Sequence, residues 1–261
     1  MKANSPTDPV PIGDVIGNIH ELYPRTMQAC IDCGIVCEGF AAFAAVHRCG
    51  RCADAEHARI TAAIQLSREI EAQAERTQTQ ARVVQHGLCR PATLHMARES
   101  LRVDQHNRQA VQAAQLPLCT TVWLYGPAGT GKTFLARQVL AEAARAGQVV
   151  AEIKSLQFLR RVRDWEEGEA VSAALNLADL LLFDDVDKPR WNESGTAALW
   201  RLLDDRYESR LRTIVTSNVS PADFAARNTS AEIAENLAAA LDRLQPMNSV
   251  HVGGPSRRRQ P

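Results

Sequence analysis

Residues 126–133 read GPAGTGKT, and this octapeptide decides the fold. It fits the pattern G-x-x-x-x-G-K-[ST], follows the apolar run of residues 120–125 and opens a helical stretch, which is the context that a phosphate-binding loop requires. Inward-pointing backbone N–H groups and the positive helix N-terminus attract phosphates there. Lys132 is expected to reach the β- and γ-phosphates, and Thr133 to hold Mg²⁺. The predicted nucleotide-binding residues are Gly126, Pro127, Ala128, Gly129, Thr130, Gly131, Lys132 and Thr133.

Short apolar runs alternate with helical stretches on the C-terminal side of this loop. The runs lie at residues 120–125, 148–153, 179–183 and 213–216. Strands that alternate with helices form a parallel sheet with helices on both faces. The sequence therefore predicts an α/β core of three layers.

The third apolar run ends in two carboxylates, within the segment DLLLFDD at residues 179–185. A buried strand with this ending is the Walker B arrangement, in which Asp184 completes the Mg²⁺ site and Asp185 orients the attacking water. The alternative is a strand followed by an acidic turn. Because the Asp185 side chain is shorter than that of glutamate, the sequence leaves the rate of hydrolysis open.

A neutral polar residue, Asn218, follows the run at residues 213–216. Ligands of α/β folds bind at the carboxyl ends of the strands. Asn218 is therefore a candidate sensor of the γ-phosphate. The alternative is an asparagine that caps the turn before Pro221.

Five of the seven cysteines lie between residues 30 and 52. Two C-x-x-C pairs separated by 15 residues have the spacing of a four-cysteine zinc site, with no ligand position left for water. Such a short module needs its metal in order to fold. Cys37 or His47 is a possible replacement for one ligand, and free cysteines in a segment with a helix at residues 41–46 are the alternative. The predicted zinc ligands are Cys30, Cys33, Cys49 and Cys52.

The remaining segments predict the organisation of the chain. Residues 53–85 are rich in Ala, Glu, Gln and Arg with apolar residues at helical spacing, which predicts a long amphipathic helix ended by Gly87 and Pro91. Cys89 and Cys119 are expected to be unpaired thiols. The predicted segments are a lead-in at 1–29, the zinc module and helix at 30–86, a connector at 87–117, the ATPase domain at 118–254 and a basic tail at 255–261.

Composition narrows the class of protein. The chain is 45% hydrophobic and 23% charged, which is typical of globular domains. Its 30 basic and 30 acidic residues cancel, so binding of nucleic acid would rely on local patches. No signal peptide or membrane span is visible, and a cytoplasmic location without membrane contact is expected.

Four blocks carry a resemblance to a known family: TVWLYGPAGTGKTFLA, DLLLFDDVD, ALWRLLDDRYESRLRTIVTSNVSPADF and LDRLQPMNSVHVGG. Together they resemble the AAA+ helicase loaders of bacteria and phages, of the DnaC and DnaI type, to which the IstB transposition ATPases are related. The resemblance covers residues 118–258. It implies an ATP-dependent homo-oligomer that binds single-stranded DNA and places a DnaB-type replicative helicase on it.

The resemblance also assigns roles to basic residues. Arg243 matches the arginine finger that reaches the nucleotide of a neighbouring subunit, with Arg210 as the second candidate and a helix-surface arginine paired with Asp or Glu as the alternative. A helix near the DNA path matches the region that holds four cations. An ordinary solvated helix face is the alternative there, because several acidic residues follow. The candidate DNA contacts are Lys154, Arg160, Arg161 and Arg163.

Three functions remain open at this point. The first is a helicase loader that uses ATP, Mg²⁺ and a zinc module that binds the helicase. The second is an IstB-like transposition helper ATPase, which the zinc module disfavours because such helpers generally begin with a helical domain. The third is an ATP-binding adaptor with little hydrolysis.

Overall fold

The structure is a computed structural model that describes residues 25–40, 47–96, 103–114, 121–227, 230–244 and 247–257. The chain divides into two compact units, Met1–Glu71 and Ala72–Pro261. Several predicted features lie outside the described residues: most of the lead-in, the segment 41–46, Cys119 and the arginines at 258 and 259. The predicted domain boundaries stay predictions.

The first unit contains an antiparallel hairpin of β1 (Arg25–Ala29) and β2 (Val36–Phe40). The turn between them closes through hydrogen bonds from the Cys30 N–H to the Ile35 carbonyl and from the Gly34 N–H to the Cys30 carbonyl, both 2.9 Å. Residues 25–29, which the sequence placed in the lead-in, form β1 instead. The strand was missed because only Met27 and Ala29 of its five residues are apolar.

A long helix, α1 (Gly50–Gln85), begins in the first unit and continues into the second. The predicted helix is confirmed and begins slightly earlier, at Gly50. Its apolar positions are not covered: Ile60 is 50% and Ile70 61% exposed, and Val83 is its buried residue. The helix ends where the sequence indicated, since the chain turns at Gly87 with φ 67°.

The second unit is built on a five-stranded sheet in the order β4-β5-β6-β3-β7, with all neighbours parallel. Four of the strands were predicted. The fifth, at the edge, was missed because its residues are half-buried or exposed and form no apolar run. The strands are β3 (Thr121–Tyr125), β4 (Val150–Lys154), β5 (Leu180–Asp184), β6 (Arg212–Ser217) and β7 (Met247–His251).

Helices connect these strands. The helices after α1 are α2 (Pro91–Leu94), α3 (Arg108–Ala114), α4 (Lys132–Arg145), α5 (Ser155–Arg161), α6 (Trp165–Asn176), α7 (Glu193–Glu208), α8 (Pro221–Ala226) and α9 (Ala231–Asp242). The crossover from β3 to β4 runs in one direction along the sheet. The next three crossovers, from β4 to β5, from β5 to β6 and from β6 to β7, run in the other direction. Since such crossovers are right-handed, helices cover both faces, and the predicted three-layer fold is confirmed.

The buried core extends over both faces of the sheet, because helices on both faces contribute buried residues to it, and an aromatic cluster forms one part of it. Trp123 packs against Phe224 with ring centroids 5.6 Å apart, and Trp191 lies 6.4 Å from both Phe183 and Phe224. The indole N–H of Trp191 donates to the Val186 carbonyl at 2.9 Å. This bond holds the loop after β5, which carries the acidic residues of the site.

The free edge of β4 is covered by side-chain and backbone groups. The Gln80 amide accepts from the Val150 N–H at 2.8 Å and donates to the Val150 carbonyl at 3.1 Å, so that it replaces a neighbouring strand. The Glu152 N–H donates to the Leu88 carbonyl at 2.6 Å. Covering an edge in this way protects it from pairing with another chain.

Candidate nucleotide site

The predicted phosphate loop joins the carboxyl end of β3 to the first turn of α4. Gly131 is the N-cap of α4 with φ 97°, which favours glycine. Gly126 has φ 141°, and a Cβ there would collide with the carbonyl oxygen of Val252. Thr130 donates to the Pro127 carbonyl at 3.0 Å, which closes the loop. The loop therefore surrounds the positive end of α4, where phosphates bind.

Lys132 lies inside this loop and is 6% exposed. Its ammonium donates to the carbonyls of Gly126 at 2.7 Å and Pro127 at 2.9 Å, and to Asn218 Oδ1 at 3.3 Å. Burial lowers the pKa of Lys132. Phosphate oxygens would give this desolvated ammonium charged acceptors in place of neutral ones, and such hydrogen bonds are roughly twice as strong.

Thr133 and Asp184 meet as the sequence predicted. The Thr133 hydroxyl donates to Asp184 Oδ1 at 2.7 Å, and the Thr216 hydroxyl donates to the same oxygen at 2.6 Å. Asp184 is 2% exposed. A hydroxyl and a carboxylate side by side are the protein ligands of Mg²⁺ in phosphate-loop proteins, so these residues fit the ion.

Asp185 has a left-handed backbone, with φ 57°. Two hydrogen bonds enforce this conformation: its N–H donates to Thr216 Oγ1 at 2.9 Å, and its carbonyl accepts from Ser155 Oγ at 2.6 Å. Strained backbone held in this way is frequent at functional sites. Burial, followed by the neighbouring charge of Asp184, raises the pKa of the Asp185 carboxyl. A raised pKa suits a group that accepts a proton.

Asn218 lies just past the end of β6, beside the phosphate loop. Its backbone N–H and its side-chain Nδ2 each donate to the Asp187 carboxylate at 2.9 Å. The alternative function, capping the turn before Pro221, belongs to Ser220, which accepts the Asp223 N–H as the N-cap of α8. Asp187 was missed by the sequence analysis, although a third acidic residue in DDVD was its signal.

Residues 256 and 257 of the predicted tail contact the loop. A Cβ at Gly129 would collide with Ser256. The Arg257 N–H donates to the Gly129 carbonyl at 2.9 Å, and Arg257 Nη2 donates to Asp104 Oδ2 at 2.6 Å. Nothing in the sequence pattern places these residues at the loop, because the contacts come from the parallel pairing of β7 with β3.

Both arginine-finger candidates lie at the amino ends of the strands, opposite the carboxyl ends that carry the nucleotide site. Arg243 follows α9; its Nε donates to Asp204 Oδ1 at 2.5 Å, and its guanidinium lies 5.5 Å from the centroid of the Tyr207 ring. Arg210 and Arg243 line one cleft of about 430 Å³, together with Thr121 at the start of β3. The length of a strand, roughly 15 Å, separates this cleft from the chain's own phosphate loop.

The four candidate DNA contacts do not form one row. Lys154 lies at the end of β4, in register with Asp184 beside the nucleotide site. Arg161 donates to the His86 carbonyl at 2.9 Å and lies 3.6 Å from Glu167. Arg160 and Arg163 are exposed. The acidic residues that follow belong to the first turn of α6, where negative charge stabilises a helix.

The four predicted zinc ligands in the first unit come together, with all four sulfur atoms within 4.8 Å of one another. Cys33 Sγ lies 3.7 Å from Cys49 Sγ. Zn–S bonds of about 2.3 Å in a tetrahedron require sulfur separations of about 3.8 Å, so the group fits zinc. The pKa of Cys30 is lowered to about 6, mainly by its hydrogen bond with the backbone of Cys49, whereas side-chain hydrogen bonds, first of all with Cys33, raise the pKa of Cys52 to about 12. Cys37 and His47 instead contact each other, at 3.1 Å.

Among the described residues, every helix is too short or too polar to span a bilayer.

Comparison with known proteins gives the family. Residues 110–261 match the family model described as IstB-like ATP binding protein. No curated protein matches the chain.

Solved structures share the fold. DnaI aligns over 67% of this chain and 99% of its own at 18% identity, with a TM-score of 0.56. AMPPCP-bound DnaA from Aquifex aeolicus aligns over 65% of this chain and 53% of its own at 22% identity, with a TM-score of 0.51. A putative primosome component from Streptococcus pyogenes aligns over 65% and 92% at 21% identity, also with a TM-score of 0.51. The AAA+ resemblance is thereby confirmed, and because the family model covers more than half of the chain, the chain belongs to the IstB-like ATP-binding proteins.

Proposed function

We propose that this chain is an ATPase that binds single-stranded DNA and loads a DnaB-type replicative helicase, hydrolysing ATP between copies of itself. The observation that carries the proposal is that two pairs of hydrogen-bonded side chains meet at the carboxyl ends of the strands. Thr133 meets Asp184 at 2.7 Å, and Lys132 meets Asn218 at 3.3 Å. These residues are far apart in the sequence, and one nucleoside triphosphate with Mg²⁺ would contact them all.

The chain's own residues have distinct roles in the proposed reaction. The loop N–H groups and Lys132 bind the β- and γ-phosphates. Thr133 and Asp184 would hold Mg²⁺, which would supply positive charge for the phosphate oxygens. Asp185 orients a water molecule whose oxygen attacks the γ-phosphorus as the bond to the β–γ bridging oxygen breaks. The water proton passes to Asp185, and the products are ADP and phosphate.

Arg243 fits a role in a second copy's site. Arg243 lies at the amino ends of the strands, away from the chain's own phosphate loop. A second copy that packs against these ends would bring its own bound nucleotide close to Arg243. Arg243 Nε contacts Asp204 Oδ1, and Arg243 Nη1 lies 3.7 Å from Asp242 Oδ2. A finger supplied by another subunit stabilises the charge of the transition state. The same ion pair is also what a surface arginine would form, so mutation has to separate the two interpretations.

Binding of DNA and of a helicase rests on more general support. Another DnaA structure that shares this fold was solved with AMPPCP and single-stranded DNA. Arg160 and Arg163 are exposed cations on the second unit. In the first unit, Met27 and Val36 of the hairpin are 68% and 56% exposed, which suits a module that contacts another protein.

The first test measures ATP turnover as a function of protein concentration, with and without single-stranded DNA. We expect turnover per chain to rise with concentration and DNA, and Arg243→Ala to reduce it about 1,000-fold, as expected for an arginine finger, while ATP binding is kept. Arg210→Ala is the matched variant from the same cleft and should retain turnover. The reverse result would move the finger to Arg210, and turnover independent of concentration would exclude sites between subunits.

A second test asks which partner the protein takes. The full chain and Cys33→Ser are each mixed with a replicative helicase at fixed ATP and DNA, and the bound fraction is measured. Binding by the full chain and not by the variant supports the loader and the zinc module's role.

Two alternatives remain. The family match favours an IstB-like transposition helper, and capture of a transposase rather than a helicase would establish it. ATP-dependent assembly without turnover would establish the adaptor.

A further inference from the structure

Asp187 is the buried carboxylate of the site to which the sequence motifs give no role. It lies in the loop after β5, and its side chain is 4% exposed. One oxygen accepts the backbone N–H of Asn218, and the other accepts the Asn218 side-chain Nδ2, both at 2.9 Å. Arg227 Nη1 lies 3.9 Å from the second oxygen. Asp187 therefore holds both the main chain and the amide of Asn218.

This contact also determines which way the Asn218 amide faces. An amide has a donor end and an acceptor end, and its orientation follows from its hydrogen-bond partners. Here the nitrogen faces the Asp187 carboxylate and the oxygen faces the Lys132 ammonium at 3.3 Å. The flipped amide would place oxygen against carboxylate and NH₂ against ammonium, and both contacts would be lost.

We propose that Asp187 is a positioning residue that presents the Asn218 amide nitrogen to the γ-phosphate of ATP. This rests on the proposed function, in which Asn218 senses that phosphate. The NH₂ group carries two N–H donors, and Asp187 accepts one, which leaves the other for a phosphate oxygen. When Lys132 turns to the phosphates, Asp187 is the partner that keeps the amide in place.

The charge state of Asp187 agrees with this role. Burial opposes its ionisation, but the hydrogen bonds from Asn218, together with the positive charge of Lys188, lower the pKa of the carboxyl. An ionised carboxylate is an acceptor at both oxygens and cannot donate to the Asn218 oxygen. The amide is therefore held in one orientation throughout the neutral pH range.

The test compares four variants of the full chain: Asp187→Asn, Asn218→Ala, the double variant and Asp223→Asn. Asp223 is an exposed carboxylate that contacts Ser220 in the first turn of α8, and its variant is the matched control. Equilibrium binding is measured for ADP and for a non-hydrolysable ATP analogue, and kcat and KM are measured for ATP.

We expect Asp187→Asn to lower kcat and the affinity for the ATP analogue about tenfold each, with affinity for ADP changed less than about twofold, since each tenfold corresponds to one lost contact of ordinary strength. Asn218→Ala should show the same pattern. The double variant should be no worse than Asn218→Ala, because a residue that acts through Asn218 has nothing to position once the amide is gone. Asp223→Asn should behave as the wild type.

Three results would overturn the proposal. Asp187→Asn could match the wild type, it could weaken ADP and ATP analogue equally, or its loss could add in full to that of Asn218→Ala. Failure of the proposed function has a different signature, namely a wild type that binds ATP without turnover in the presence of DNA. In that case the ratio of ATP analogue to ADP affinity still decides the role of Asp187.

Discussion

The nucleotide site and the cysteine cluster hold their functional groups in different ways. In the nucleotide site, Lys132, Asp184 and Asn218 come from distant parts of the sequence, and the ends of parallel strands bring them together. In the cysteine cluster, two short segments bring the thiols together, and the hairpin beside them is exposed, with Met27 68% and Val36 56% accessible. A hydrophobic core therefore positions the residues of the nucleotide site, whereas in the first unit we expect the metal bound by the cysteines to stabilise the fold in place of such a core.

The difference is energetic. All five residues of β5 are buried, and each large apolar side chain buried in such a strand contributes about 1.5–3 kcal/mol. The described part of the hairpin has no comparable burial. Zinc bound to four thiolates contributes about 10–16 kcal/mol in small metal-dependent folds. Loss of a functional residue should therefore leave the second unit folded and should unfold the hairpin of the first.

Loss of a zinc ligand is the largest effect that we expect. Cys33→Ser removes one of the four sulfur atoms, and the bound zinc, measured by metal analysis, should fall from one ion per chain to well below one. Limited proteolysis should then cut within residues 25–52, while affinity for ATP changes less than about twofold because the nucleotide site has its own core.

Cys37→Ser is the matched control for this experiment. Cys37 contacts His47 and is not among the four clustered thiols, so zinc should stay at one ion per chain. Loss of zinc in this variant would show that Cys37 is a ligand. Strong proteolytic protection of metal-free Cys33→Ser would contradict the contrast between the two sites.

The converse variant, Lys132→Ala, should abolish function without unfolding the second unit. Hydrogen bonds to charged groups contribute about 1.5–3 kcal/mol each, so loss of the ammonium should weaken ATP binding by about 100-fold or more. Titration with a fluorescent ATP analogue measures this loss, and thermal unfolding of the free protein should be nearly unchanged. Arg145→Ala, an exposed residue in the last turn of the same helix, should bind as the wild type. A large fall in melting temperature would show that Lys132 also stabilises the fold.

The sequence predicted those parts of the molecule that repeat a pattern with a physical cause. The phosphate loop, the strand before Asp184 and the paired cysteines were found because burial and coordination each impose a spacing. The edge strand β7 was missed because its residues are partly exposed and show no apolar run. Asp187 was missed because its role depends on Asn218, whose distance from it is a property of the sheet. The apolar spacing predicted an amphipathic α1, and the structure leaves two of those apolar residues, Ile60 and Ile70, exposed.

The smallest effect lies within the nucleotide site, where two neighbouring carboxylates should respond to pH in opposite ways. Burial raises the pKa of Asp185, so its ionised form is less favourable in the folded state than in the unfolded chain. The pKa of Asp187 is lowered because the bonds from Asn218 and the charge of Lys188 together outweigh burial, so its ionised form stabilises the fold. At pH 7 we therefore expect Asp185→Asn to raise the melting temperature by a few degrees and Asp187→Asn to lower it.

The two differences should disappear in sequence as the pH falls. The gain of Asp185→Asn is lost first, while the pH falls through the raised pKa of Asp185 toward the ordinary aspartate value of 3.8. The deficit of Asp187→Asn persists there and is lost only below 3.8, as the pH falls through the lowered pKa of Asp187. Thermal unfolding of both variants and the wild type over this pH range measures the order. Loss of both differences at the same pH would mean that the two carboxyls titrate together, and Asp187 would then not be held ionised by Asn218.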